Sequence, residues 1–240
     1  MKTAPWEGKT AVITGASRGI GAGLVQEFQA AGLRVAGCAR TLPEGCDFSA
    51  VADVTDSSQL DAFVAAAARE LGSLDLMVHN AGVLEPVCPV RDLEADAFRQ
   101  HLEINLVGAL NASRSYMKHA NGGVLLHISS GAAWSGYAGW AAYCAGKSGL
   151  DRLAETIQLE EGDRGLRVHA VAPGVIDTDM QATIRASDPK VFPMLDKFLE
   201  MKEQDSFNTI PFVADHLLRI AFDPAAQPDT VVLRLPAEKD

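Results

Sequence analysis

The chain has 240 residues, 48% of them hydrophobic and 22% charged, and a formal net charge of −10 with a sequence pI near 5.0. This is an ordinary globular composition, long enough for one large core. The acidic balance argues against a nucleic-acid or anionic-membrane partner, which would need a basic face, while leaving room for one local basic pocket that takes a small phosphate. Cys38, Cys46, Cys88 and Cys144 show no CxxC spacing and the six histidines are scattered, so no metal-site pattern is present and free thiols in a reducing cytosol are expected. No leader-like N-terminal segment and no apolar run of membrane length stand in the sequence, which reads as a cytoplasmic protein.

Short β-branched runs alternate with longer helical patterns. "KTAVITG" (9–15) predicts a buried strand ending in glycine, followed by a helix over 19–32 with Leu24, Phe28 and Ala31 on one face and Gly32 as its stop. A second strand is expected over 33–40 and a third over 48–54. A helix then begins with Asp56 or Ser57 as its cap and runs to about Leu71. Further strands are predicted over 74–82, 122–129 and 166–174. They are separated by a long helix over 94–119 and another over 140–161. A short helix near "IPFVADHLLRIAF" and a strand over 229–235 close the chain. This alternation implies a doubly wound, mostly parallel sheet with helices on both faces, a three-layer α/β/α single domain spanning 1–240. The stretch 175–208, with Pro189 and Pro193 and helical patches, fits the alternation least. Insertions after a strand's carboxyl end commonly cover the ligand crevice, so it is expected to be a substrate lid.

"TGASRGIG" (14–21) places Gly15, Gly19 and Gly21 where the first strand becomes a helix. A pyrophosphate held on a helix N-terminus needs this absence of side chains, and the helix dipole and free N–H groups then hold the anion. The second strand ends "CAR", with Arg40 and no acid to accept from ribose hydroxyls. Arg18 in the glycine loop and Arg40 flank the same expected adenosine ribose. Two forked guanidiniums there favour a 2′-phosphate, hence NADP(H). "ADV" (52–54) and "NAG" (80–82) end the third and fourth strands on the same sheet edge. Asp53 is placed to bond the adenine amine, and Asn80, Ala81 and Gly82 to line the adenosine side.

"YCAGK" sets Tyr143 and Lys147 one helical turn apart on one face. A phenol has a pKa of about 10, too high for proton exchange near neutrality. An ammonium at roughly 4 Å and effective dielectric ~20 attracts a phenolate by about 4 kcal/mol. A lowering by about 2 to 3 units needs roughly 3 to 4 kcal/mol, so Lys147 is expected to supply most of it.

In order and spacing, "TGASRGIG", "NAG", "ISS", "YCAGK" and "PGVIDTDM" resemble a classical short-chain dehydrogenase/reductase over nearly the whole chain, which implies a Rossmann-like fold. "CAR" and the stretch from "GVIDTDM" through "FLEMKE" look like the sepiapterin reductase and benzil reductase branch, whose members are NADPH-dependent carbonyl reductases. The resemblance implies Tyr143 as general acid and Ser130, thirteen residues upstream, as donor to the reacting carbonyl oxygen, with Ser129 the competing candidate. It implies Lys147 on the nicotinamide ribose and Asn105 fixing a water that passes protons to Lys147. Gly15, Ser17, Arg18, Gly19, Ile20 and Gly21 would meet the cofactor, with Arg40, Asp53, Val54, Asn80, Ala81 and Gly82. At the reacting end Tyr143, Lys147, Pro173, Gly174, Ile176 and Thr178 would do so, the last two near the carboxamide. Two departures stand out: the chain ends "VVLRLPAEKD" where relatives commonly carry a "VDGG"-like strand, and His79 stands where many have asparagine.

The sequence thus reads as an NADPH-dependent carbonyl reductase acting on a small ketone, diketone or pterin-like molecule. Trp134, Tyr137, Trp140, Phe192 and Phe198 are available to line its pocket. A β-ketoacyl-carrier reductase, an NADP-dependent alcohol dehydrogenase and an NADP(H)-sensing protein are the alternatives. By the family's habit the long helices would build a homodimer or homotetramer.

Overall fold

Apolar residues facing alternately up and down set the architecture. In β1 (Thr10–Thr14), Ala11 and Ile13 join one core while Val12 joins another on the opposite face of the sheet. The structure is a computed structural model and describes residues 6–239. Its seven strands are β1, β2 (Arg34–Ala39), β3 (Phe48–Val51), β4 (Leu76–His79), β5 (Gly123–Ile128), β6 (Leu166–Ala172) and β7 (Val232–Arg234). All pair in parallel, in the order β3-β2-β1-β4-β5-β6-β7. The doubly wound parallel sheet expected from the sequence is therefore present. The direction of winding reverses between β1 and β4, which opens a crevice at the carboxyl ends of those two strands.

Helices α1 (Gly19–Ala30) and α8 (Ile210–Phe222) cover one face, bringing Leu24, Phe28, Val213 and Leu217 against Ile13, Leu76 and Leu126. On the other face, α2 (Ser57–Leu71), α4 (Gly108–His119) and α5 (Ala141–Glu161) bring Leu60, Val64, Tyr116, Ala154 and Ile157 onto Val12, Met77, Leu125 and Val168. Asp56, rather than Ser57, caps α2, its carboxylate accepting from the backbone N–H groups of Ser58 and Gln59. Thr209 caps α8 by accepting from Phe212 N.

The long helix expected over 94–119 runs unbroken from Ala95 to His119: α3 (Ala95–Leu102) continues through one π turn over Glu103–Val107 into α4. The segment 175–208 holds two ordered helices, α6 (Asp179–Arg185) and α7 (Leu195–Glu203), which pack on each other at the open side of the crevice. Ile184, Leu195 and Phe198 bury their side chains there in a third, smaller core with Leu84, Trp140 and Phe192.

Candidate active site

A crevice of about 760 Å³ runs along the carboxyl edge of the sheet. Its floor at the phosphate end follows from the turn between β1 and α1. Gly15 has a φ of +67°, and a Cβ on Gly21 would lie 2.2 Å from the Gly15 carbonyl oxygen, so a side chain at either position would rebuild the turn. Asn80 locks the turn from β4, donating Nδ2 to the carbonyls of Thr14 and Gly15, each at 3.1 Å. Thr14 Oγ1 in turn accepts from the N–H groups of Asn80 and Ala81 and donates to His79 Nδ1 at 3.0 Å. Arg18, at the N-cap of α1, makes no side-chain bond to the first helical turn, and no acid stands in that turn. Uncapped N–H groups on a glycine cradle fit a dinucleotide pyrophosphate.

Gly15, Ser17, Arg18, Gly19, Ile20, Arg40, Asp53, Val54, Asn80, Ala81 and Gly82 all line this half of the crevice, whereas Gly21 lies packed beneath it. Arg18 and Arg40 are both exposed, and Arg18 lies 3.8 Å from Asp179 at the start of α6. The Asp53 carboxylate accepts from Thr55 N and Oγ1, which fixes the turn after β3.

Tyr143, Lys147, Ser129, Ser130 and Asn105 line the crevice as well, as do Pro173, Gly174 and Ile176, while Thr178 comes beside Gly19 of the glycine turn. Tyr143 and Lys147 lie in α5 and are 7% and 6% exposed. Lys147 donates to the Ile128 carbonyl at 2.7 Å, with Nζ 5.7 Å from the centre of the Tyr143 ring. Ser130 follows β5 in an extended conformation. Its Oγ accepts from Ala132 N at 3.2 Å, and its hydroxyl hydrogen faces the Tyr143 oxygen. Ser129 differs: its hydroxyl donates to the buried Asp151 carboxylate, away from Tyr143.

The expected acidification of Tyr143 is overturned. Burial pushes the phenol above its ordinary pKa, and the Ser130 hydroxyl draws it only partly back. Burial acts on Lys147 as well, bringing its pKa down to about 8 against the opposing pull of Asp151. The cation sits toward the ring and is bound to a backbone carbonyl, so desolvation outweighs its attraction for a phenolate.

Asn105 is buried inside the π turn. Its Oδ1 accepts from Val83 N, and its Nδ2 donates to Val83 O, both at 3.0 Å. Nδ2 also donates to His101 Nε2 at 2.7 Å, because His101 Nδ1 carries its proton to the Glu85 carbonyl, also at 2.7 Å. Both amide hydrogens are therefore taken and at most one Oδ1 lone pair is left for a water. The side chain ties the segment after β4 to the helix.

Trp134, Tyr137, Trp140 and Phe198 line the mouth, where Trp134 is 48% exposed. Phe192 does not: it is fully buried behind Trp140, stacked at 4.6 Å, and belongs to the core. Three residues that sequence reasoning passed over also shape the site: His101, Asp151 and Asn208. Asn208 Nδ2 donates to the Pro173 and Pro236 carbonyls, and its N–H donates to Val175 O, fixing the wall that carries Gly174 and Ile176. No sequence spacing links these residues to their partners, although Asp151 continues the Tyr143–Lys147 face by one more turn.

A switch-point crevice with a glycine cradle at one end and a buried tyrosine and lysine at the other defines a nucleotide-dependent α/β oxidoreductase. Residues 9–189 match the family model described as short chain dehydrogenase, and the chain belongs to that family, whose members use nicotinamide cofactors. It lies near the benzil reductase branch. A benzil reductase ((S)-benzoin forming) from Bacillus subtilis (strain 168) is 30% identical over 222 residues, covering 87% of this chain and 91% of the relative. A cis-4-hydroxycyclohexanecarboxylate dehydrogenase from Sinomonas cyclohexanicum is 34% identical over 205 residues, covering 75% and 82%. The crystal structure of a short-chain dehydrogenase/reductase from Saccharomyces cerevisiae superposes with a TM-score of 0.84 at 31% identity, covering 94% of this chain and 95% of that one. Among the described residues, no helix is long and apolar enough to cross a membrane and no cluster of potential metal ligands is found.

Proposed function

We propose that the protein reduces the carbonyl group of a small ketone or diketone to an alcohol, with NADPH as the hydride donor. The observation that carries this reading is the convergence of Tyr143, Ser130 and Lys147 at one end of a crevice whose other end is a glycine cradle. Gly15, Gly19 and the first turn of α1 would hold the cofactor's pyrophosphate and Lys147 its ribose, and NADPH would supply the hydride that reduces the carbonyl carbon. Tyr143 then gives its Oη proton to the carbonyl oxygen. A phenol raised by burial is protonated throughout the physiological range, which suits a donor. Ser130 donates its hydroxyl hydrogen to the same oxygen and stabilises the charge that develops there. Lys147 holds the ribose hydroxyls and keeps a positive charge beside the phenol. Asn105 acts as a positioning residue that fixes residues 82–84 under the reacting end.

Arg18 and Arg40, both exposed on the adenosine side, would clasp a 2′-phosphate and select NADPH. The segment 175–208 would cover the substrate. The aromatic cluster of Trp134, Tyr137, Trp140 and Phe198 gives the mouth an apolar lining, with Trp134 its exposed member, which favours aryl ketones and aryl diketones, and the benzil reductase likeness points the same way. The test follows NADPH absorbance with the purified protein and a panel of aryl ketones, diketones and quinones. Steady NADPH loss with at least one of them, faster than with NADH, is expected. Tight NADPH binding with no turnover across the panel would instead make the protein a nucleotide sensor.

A further inference from the structure

One buried carboxylate near the site has no part in the chemistry above. Asp151 lies on α5 one turn beyond Lys147, on the same face, and is 5% exposed. One of its oxygens accepts from the Ser129 hydroxyl, and the other is buried without a hydrogen-bond partner. A buried carboxylate oxygen with no donor is costly unless a cation stands close enough to favour its charge. The groups around Lys147 leave one candidate for the opposite charge. From the strands come His79 of β4, His127 of β5 and the Ile128 carbonyl; from α3 comes His101; from α5 itself come Tyr143 and Asp151. Burial keeps all three histidines neutral and the phenol protonated. Asp151 is the one acid among them: burial raises its pKa, and the Ser129 hydroxyl and the Lys147 charge pull it back toward the carboxylate. Its own neighbours Arg152 and Glu155 are paired with each other at the surface side of α5. Ser129, whose N–H is held by Val171 O at 2.8 Å, fastens Asp151 to the end of β5 one residue before Ser130.

We propose that Asp151 is the buried counter-ion of Lys147, a positioning residue that holds the ammonium charged and, through Ser129, ties α5 to the strand end that carries Ser130. This rests on the reading of Lys147 as the cation of the reacting end. Burial alone drives a lysine toward the neutral amine, and the one opposing charge is Asp151. Without it Lys147 would lose its proton nearer to neutral pH, and with it its hold on ribose hydroxyls and its charge beside Tyr143.

The test does not depend on turnover. Lysine Cε resonances of the cofactor-free protein are titrated by NMR, with the Lys147 signal assigned by its disappearance in Lys147→Met. In Asp151→Asn, which keeps the shape and can still bond Ser129, the Lys147 midpoint should fall by about one pH unit. Asp151→Glu should restore part of the difference. Because coupling is reciprocal, the carboxyl carbon of Asp151 in Lys147→Met should titrate at higher pH than in the parent, an arm that holds even if Asp151→Asn fails to fold. Unchanged midpoints in both variants would overturn the proposal. So would a lower melting temperature of Asp151→Asn with the Lys147 midpoint unmoved, since a packing role predicts that pattern. If the midpoints move but no carbonyl compound is reduced, the counter-ion stands and the assigned reaction falls. If carbonyls are reduced, the alkaline limb of the pH–rate profile should shift with the lysine.

Discussion

Tyr143 and Lys147 stand four residues apart, yet burial makes the phenol a weaker acid and the ammonium a stronger one. Both shifts have one origin, removal of a charge from water, and they suit the proposed role of a phenol that keeps its proton until a carbonyl accepts it. On the proposed reading the adenosine end works differently, through the exposed guanidiniums of Arg18 and Arg40. Replacing Arg40 with alanine should cut the preference for NADPH over NADH about tenfold, the size of a charge-assisted hydrogen bond, with little change in NADH affinity. Fluorescence titration with both nucleotides checks this, and equal affinities in the parent protein would remove the basis for it. Arg18→Ala should act in the same direction and less strongly, since Arg18 also faces Asp179 across 3.8 Å. Ser129 and Ser130 show how much one position matters: adjacent in sequence, one is bound to Asp151 and the other faces Tyr143.

At the scale of elements, the π turn over Glu103–Val107 decides where Asn105 points. Its side chain supplies both partners of the Val83 backbone, so Asn105→Ala would strand an N–H and a carbonyl under the crevice. A stability loss of about 2–3 kcal/mol in urea denaturation is expected, together with a lower turnover rate. In α1, Phe28 is fully buried against the sheet, and Phe28→Ala should cost about 3–5 kcal/mol while leaving the glycine turn in place. These two helices also separate what a sequence can tell from what it cannot. The apolar spacing of Leu24 and Phe28, the glycine turn and the Tyr143–Lys147 pair are local patterns, each fixed within a turn or two of chain, and the structure forms all of them. The π turn depends on Val83, twenty-two residues away, and His101 on Glu85. Asn208 acts across thirty-five residues on Pro173. Nothing in the periodicity of either partner announces such contacts. Phe192 was legible as an aromatic in the right segment but not as core, because its burial comes from stacking on Trp140.

The whole molecule carries its polar residues inside the sheet as well as around the crevice. His79 and His127 are neighbours across β4 and β5, their rings 5.7 Å apart, and each has one ring nitrogen buried without a partner. Burial holds His127 at a pKa of about 3 and His79 well below its ordinary value, with Lys147 adding to both effects. Burial lowers His101 and His169 too. The sign follows from linkage: below about pH 6.5 the unfolded chain takes up protons that the folded chain refuses, so stability is full above that pH and falls as pH drops toward 3. Each fully shielded histidine contributes a slope of about 1.4 kcal/mol per pH unit in that window. Urea denaturation between pH 6.5 and 4.5 should show the loss, and a His79→Asn, His127→Asn variant should flatten it; a flat profile in the parent would mean that these rings are protonated or wet in the folded state. The parallel sheet and the crevice at its switch point bring Tyr143, Ser130 and Lys147 together on one crevice with the glycine turn, and helices α6 and α7 contribute to its lining. The most direct measurement of that arrangement compares Tyr143→Phe with the parent protein for NADPH affinity and for carbonyl reduction. Loss of the phenolic proton donor should lower kcat by at least about 100-fold while the NADPH dissociation constant stays within about threefold. Turnover that survives the substitution undiminished would contradict the assignment of Tyr143 as the acid.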